Sequence, residues 1–311
     1  MSEGRPIKTL ALYTTIYPGV EPFLPDWYRS VREQSDRDVA LWIGLDSLTV
    51  EAAIDAMGGD PGATWVPAAP GDTPAQVRQR VFERLVDVVD GVVLVDSDDI
   101  LHPSRVASAR LALRSSDLVG CALRLVNQEG GDLGLVFGLP PGAGPADVLP
   151  RNNVFGLSNT AFRSDLLRRC LPIPSDVALV DWYLATRAWL LGARLDFDNV
   201  IRMDYRQHGA NMARVRPPFG LPQVISDCGR VRHHFQLLLD ALPEGVLADR
   251  RAAVEQVARD VEQFYHRVVL QPPRLEQYVK ALNELEPAPL WWSTVAYPAL
   301  QDLWTHEKEI Q

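Results

Sequence analysis

The sequence predicts an α/β protein, a mostly parallel sheet sandwiched by helices, with an all-helical extension at its C-terminal end. Three observations lead there. Between Ile7 and Arg206, short apolar strand patterns alternate with helical patterns, and such alternation implies a sheet covered on both faces. The stretch "GVVLVD" (91–96) is apolar without a break, as befits a strand buried on both sides. From about Phe219 onward only helical patterns remain. Pro217 and Pro218 mark the boundary, which gives two units, 1–217 and 218–311.

Each element has its own reason. "IKTLALYTT" (7–15) reads as the first strand, and "FLPDWYRSVREQ" as a short helix with Trp27 and Val31 on one face. "DVALWIGLDS" is a second buried strand ending at Asp46; "EAAIDAMGG" is a helix stopped by glycines, and "ATWVPA" a third strand. Thr73, Pro74 and Gln76 form a capping box with proline at the first helical position, and Val77, Val81, Leu85 and Val88 then recur at helical spacing. "GVVLVD" follows, and Pro103 opens another helix. "GLPPGAGPADVLP" (138–150) is too rich in glycine and proline for a regular element and reads as a mobile loop. A helix from about Val180 to Leu191 ends at Gly192, and "LDFDNVIRMDYR" is the last strand before the helical region.

Composition narrows the function. The 311 residues are 47% hydrophobic with a net charge of −9. Disorder is excluded, and nucleic acid is a poor partner for so acidic a chain. All but Lys8, Lys280 and Lys308 of the 31 basic residues are arginine, so a single arginine carries less weight than usual. Cys121, Cys170 and Cys228 are far apart, which disfavours a disulfide framework or a zinc site. No signal segment opens the chain and no apolar run reaches the roughly 18 residues of a membrane span. The expectation is a cytoplasmic protein, at most peripheral to a membrane.

The chemistry gathers at strand ends, where open α/β sheets bind ligands. Thr14 and Thr15, Asp46, and the run Asp96-Ser97-Asp98-Asp99 all lie there. One reading of the acidic run is a turn that caps the following helix. The other is a divalent cation site, because clustered carboxylates are the hard oxygen ligands that Mg²⁺ or Mn²⁺ prefers. Arg78 projects close to the centre of the apolar face of its helix, so it needs an anionic partner: a strand-end Asp in an ion pair, or a phosphate.

In "LALYTTIYPGVEPFL", "SVREQ", "LWIGLDS", Arg78, "DSDDILHP", "GLSNTAFR", "VDWYLATRAW" and "YRQHGANM", the chain resembles glycosyltransferase family 2, the inverting enzymes with a GT-A fold and a DxD motif. The resemblance runs from about residue 7 to 213. It implies a nucleotide-sugar part over 1–105 and an acceptor part over 106–217. Asp46 would bond the base, as with uridine donors, and Thr14 and Thr15 would line its pocket. Arg78, Asp96 and Ser97 would contact the donor. Asp98 and His208 would hold the metal, Arg206 would reach metal and diphosphate, and Asp181 would be the catalytic base. The turn "TTIYP" departs from the family's usual one. The implied activity is metal-dependent transfer of a sugar, from a UDP- or dTDP-sugar by preference, to an acceptor hydroxyl.

Other readings remain open. Asp181 could be a helix-terminal carboxylate favoured by the macrodipole, with Asp176 the next candidate base. His208 could be a plain loop histidine. Trp182 and Trp189 read as core, and His233 and His234 as a solvated helix face. A sugar-phosphate nucleotidyltransferase would need a glycine-rich basic loop after the first strand, where "YTTIYPGVEP" has one glycine and no Lys or Arg. A phosphohydrolase would carry its DxD on the first strand. A degenerate fold could bind a partner through its helical tail. The helical region, with its Trp291–Trp292 pair, would shape the acceptor site or a homodimer contact.

Overall fold

The computed structural model describes residues 5–209, 211, 213–285 and 290–305. Ala210 and Met212 of "YRQHGANM" and Pro289, next to the Trp pair, lie outside the described residues. The first half alternates as expected: β1 (Leu10–Ile16), α1 (Leu24–Arg32), β2 (Ala40–Leu45), α2 (Val50–Met57), β3 (Thr64–Pro67), α3 (Pro74–Leu85) and β4 (Gly91–Leu94). The start of α3 is fixed by its capping box: Thr73 Oγ1 accepts from Gln76 N at 3.3 Å, and Gln76 Oε1 accepts from Thr73 N at 2.8 Å. Thr49 caps α2 in the same manner, and Gly58, at φ +77°, ends it in the left-handed conformation that glycine tolerates best.

The second half runs β5 (Ile100–Leu101), α4 (Arg105–Ala112), β6 (Leu118–Val126), β7 (Asp132–Phe137), α5 (Pro145–Val148), β8 (Thr160–Arg163), α6 (Ser164–Cys170), α7 (Val180–Leu190) and β9 (Leu195–Arg206). All nine strands belong to one sheet, ordered β3-β2-β1-β4-β8-β6-β9-β5, with β7 also on β6. The pairs among β1 to β4 are parallel. Beyond β4 the sheet is mixed: β8 runs antiparallel to both β4 and β6, while β6 and β9 are parallel. The helices α8 (Leu221–Asp240), α9 (Ala248–Phe264), α10 (Pro272–Leu285) and α11 (Asp302–Thr305) complete the chain, with a π turn over Tyr265–Val269.

Two expectations change. The loop over 138–150 holds one regular turn, α5, because Pro145 occupies its first position and Asp147 accepts from Gly144 N at 2.7 Å. Its end is anchored, with Val148, Leu149 and Pro150 buried. His233 and His234 do not share a face, since neighbours on a helix point about 100° apart. His233 is exposed and pairs with Asp176 at 3.0 Å, while His234 is 1% exposed and stacks on Trp182 at 4.2 Å. Trp182 and Trp189 are both buried. Among the described residues, no helix is long and apolar enough to cross a membrane.

The parallel strands aim their carboxyl ends at one edge of the sheet. Asp46 directly follows β2, and Asp96 lies two residues beyond β4. That edge is where the polar groups collect.

Candidate active site

A cavity of about 710 Å³ opens at this edge. Its wall includes Thr15, Tyr17, Asp46 and Arg78, the polar groups Asp96, Asp98, Ser158, Asp181 and His208, and the aromatic residues Tyr205, Trp291 and Trp292. The first turn of α3 contributes Thr73, Pro74 and Ala75.

The acidic run splits by its two-residue alternation. Asp96 and Asp98 face the cavity, while Ser97 between them turns inward and donates to Thr15 O at 2.7 Å, tying the acidic loop to β1. Each carboxylate has a protein partner. Ser158 Oγ donates to Asp96 at 3.0 Å and is also bonded to Asp99. Asp99 accepts from the Arg206 backbone N at 2.7 Å. Asp98 Oδ2 and His208 Nε2 are 2.8 Å apart, and the His208 ring stacks on Phe23 at 4.9 Å. Burial, reinforced by the Asp98 charge, pushes the Asp96 carboxyl up to about 7. The same two causes hold Asp99 well above the ordinary carboxylate range. Hydrogen bonds from Ser158 and from the Arg206 backbone thus hold the crowded carboxyls in place.

Asp181 stands in the first turn of α7. Asn153 Nδ2 donates to its Oδ2 at 2.9 Å, and burial raises its carboxyl to about 6. Arg78 Nη1 donates to Pro74 O at 2.9 Å. Among the described residues it forms no ion pair with a carboxylate, and its buried Nε lacks a partner. Its charge nevertheless acts on the Asp96 and Asp181 carboxyls, lowering both against the effect of burial.

Three residues expected at the ligand sit behind the wall instead. Thr14 is wholly buried because adjacent residues of β1 point to opposite faces, and its neighbour Thr15 takes the cavity side. Ser97 is buried by the inward turn just described. Arg206 is 2% exposed. Its Nε donates to Asp98 O at 2.8 Å and its Nη2 meets Asp26 at 3.1 Å, so it braces the acidic loop from behind. Tyr17, Ser158, Asn153 and Tyr205 are residues to which the sequence assigns no role. Tyr17, Ser158 and Tyr205 sit inside "LALYTTIYPGVEPFL", "GLSNTAFR" and "YRQHGANM", stretches that carry a signal, while Asn153 does not.

The donor set suits a hard divalent cation. Two ligands at adjacent corners of an octahedron with bonds of about 2.1 Å lie about 3 Å apart, close to the 2.8 Å between Asp98 Oδ2 and His208 Nε2. No group of three or more such side chains converges among the described residues. Asp98 and His208 could therefore hold a cation only with further ligands from substrate phosphates and water.

No family model matches this chain, nor does any curated protein. Solved structures do. S. aureus TarS 1-349 in complex with UDP-GlcNAc superposes with a TM-score of 0.55 at 14% identity, over 87% of this chain and 78% of that one. The mannosyltransferase PcManGT from Pyrobaculum calidifontis, in complex with GDP-Man and Mn²⁺, gives 0.53 at 13% identity over 97% and 92%. The fold is shared. At such identities the likeness is one of architecture, and the roles of individual residues rest on the cavity itself.

Proposed function

We propose that the protein is an inverting, metal-dependent glycosyltransferase that moves a sugar from a nucleoside-diphosphate donor to an acceptor hydroxyl. The observation that carries this reading is one cavity that gathers a carboxylate–imidazole pair, Arg78 and the buried carboxylate Asp181. The likeness in fold to proteins crystallised with UDP-GlcNAc and with GDP-Man and Mn²⁺ supports it.

The roles follow from the chemistry of each group. Asp46, at the end of β2 and held by Ser47 Oγ at 2.9 Å, accepts from the base. Uridine or thymidine fits because their ring N–H offers the donor that a carboxylate needs. At the first turn of α3 the Ala75 N–H and the positive end of the helix dipole are offered to the diphosphate, the Gln76 N–H being taken by Thr73. Arg78, one turn further on, adds charge-assisted hydrogen bonds. Asp98 and His208 would hold Mg²⁺ or Mn²⁺, and the ion would neutralise the departing diphosphate. Asp181 takes the proton from the acceptor hydroxyl as that oxygen attacks the anomeric carbon opposite the leaving group. One displacement inverts the configuration.

The test is calorimetry of UDP, dTDP and GDP with the purified protein, with Mn²⁺ and with chelator. We expect binding with Mn²⁺ for a uridine or thymidine diphosphate and its loss on chelation. Equal affinity with chelator removes the metal role, and preference for GDP removes the uridine or thymidine assignment, since guanine also offers N–H donors to the Asp46 carboxylate. The domain division, with the part after Pro218 as a separate appendage, is part of this proposal. A truncation at Pro218 that kept full transfer activity would contradict the contribution of Trp291 and Trp292 to the site.

A further inference from the structure

We propose that the aromatic end of the cavity, formed by Tyr205, Trp291 and Trp292, is the subsite for a carbohydrate acceptor; this rests on the transferase reading above. The segment after α10 delivers the two indoles to a wall otherwise built by the sheet and α7. Both are more than nine-tenths buried, yet both face the cavity.

Their position is fixed relative to Asp181. The backbone of Trp291 bridges that of Asn153 in antiparallel fashion, and the Asn153 side chain holds Asp181 at 2.9 Å. Trp292 lies parallel to Trp182, within 1° at 6.5 Å between centroids, and Trp182 directly follows Asp181 in α7. A base must touch the hydroxyl it deprotonates. The acceptor therefore lies beside Asp181, against these rings, while the nucleotide occupies the end built by β1, β2 and α3.

Local structure is spent on holding the rings there. Trp292 has φ +69°, a conformation in which a bulky residue is an outlier and which concentrates at ligand sites. Trp291 packs on bare backbone: a Cβ on Gly156 would come within 2.5 Å of its ring. Tyr205 meets Trp291 edge-on at 83° and 5.8 Å. Ser175, Asp176 and Asn211 line the same cavity. Trp291 also packs on Phe137 at 3.9 Å, and aromatic side chains sharing a cavity with hydrogen-bonding groups suit a pyranose, which has a C–H face and a rim of hydroxyls. An aliphatic chain has no use for those polar groups.

The test uses tryptophan fluorescence to follow binding of free oligosaccharides with gluco, galacto, manno and N-acetylglucosamine ends. UDP and GDP with Mn²⁺ are measured in parallel by calorimetry. We expect saturable binding of at least one saccharide, weakened about tenfold or more by Trp292→Leu, as for an anchoring aromatic. Trp292→Phe should restore most of it. Gly156→Ala, which displaces Trp291 without deleting it, should weaken saccharide binding as well. Nucleotide affinity within about twofold of wild type in each variant shows that the fold and donor end survive. The proposal is overturned if no saccharide binds the wild type, or if the Leu and Ala variants bind saccharide as well as it does. It is also overturned if nucleotide affinity falls while saccharide affinity holds, since the rings would then serve the donor. Saccharide binding through the rings without any nucleotide binding would remove the transferase reading and leave the carbohydrate subsite standing.

Discussion

Asn153 donates its side-chain amide to Asp181 at 2.9 Å, and it is itself fixed by two bonds to Phe155, Nδ2 to the carbonyl at 3.1 Å and Oδ1 from the N–H at 2.9 Å. One oxygen of Asp181 is therefore committed to the protein, and the carboxylate is held in one orientation at the mouth of α7. Backbone N–H groups of Asp181 and Trp182 hold it as well, and the proposed role of this carboxyl, raised by burial and fixed in place, is that of general base.

Asp181→Asn tests this directly. The amide keeps the shape but cannot take a proton. Donor affinity should stay near wild type while turnover falls about 10² to 10⁴-fold, the usual contribution of a positioned base. Steady-state kinetics and calorimetry on the same preparation check both halves. Transfer activity near wild type would make Asp181 a helix-terminal carboxylate and turn attention to Asp176, which lines the cavity but pairs with His233. The substitution should also raise the melting temperature at pH 8. A folded-state pKa above the unfolded one means that ionisation works against the fold as pH rises through the window. The gain should shrink as pH falls through about 6 and vanish below about pH 3, where both states of the wild type are largely protonated.

The same shift sets the pH profile. With Asp181 raised to about 6, its base form is lost below that pH and kcat/KM should fall about tenfold per pH unit on the acid limb. An ordinary exposed carboxylate would place that limb about two units lower. A limb near 4 in the measured profile would remove Asp181 as the base.

Much of this site is legible in the sequence because strand ends are legible. "LWIGLDS" and "GVVLVDSDD" show apolar runs stopping at carboxylates, and β2 and β4 do place Asp46 and Asp96 at the cavity. The capping box of α3 is likewise readable, since it is written in four consecutive residues. What fails is side-chain direction inside short polar runs. Thr14 against Thr15, and Ser97 against its two neighbours, depend on the strand's facing, which residue types alone do not declare. Arg206 fails for another reason: its partners Asp26 and Asp98 are far off in sequence, and only the closed sheet brings them together. The strands β6 and β7 escape a pattern reading because Gly120 and Arg124 interrupt the first, and Gly134 the second. The Trp291–Trp292 pair signals a need for burial, but nothing local says that the surface covering it would be the cavity wall.

Arg78→Ala should weaken nucleoside diphosphate binding about ten- to a hundredfold, the loss expected when hydrogen bonds to a charged group are removed. The melting temperature should change little, since the hydrogen bond that Arg78 makes is to the carbonyl of Pro74 within its own helix turn. Arg84→Ala, at an exposed position on the same helix, is the control and should leave affinity unchanged. A fall in melting temperature with intact nucleotide affinity would restore a structural role for Arg78.

His234 supplies the last prediction, one of stability. Its ring is buried between Trp182 and Phe235, and among the described residues neither ring nitrogen has a hydrogen-bond partner. Burial, with a smaller contribution from the neighbouring His233, lowers its pKa from 6.5 to about 3. The unfolded chain then binds a proton that the folded one refuses between those two values. Stability that is intact above about pH 6.5 must therefore be lost as pH falls, at up to about 1.4 kcal/mol per pH unit for one proton. His234→Phe keeps a ring against Trp182 and removes the titration. Urea melts of both proteins between pH 4 and 8 should show the variant gaining on the wild type steadily below pH 6.5, with a constant difference above it. Parallel stability curves across the whole range would mean that His234 finds a proton partner in solution and that the Trp182 stack is open to water. In that case the indole ladder from His234 through Trp182 to Trp292 would not be the rigid support that the cavity wall requires.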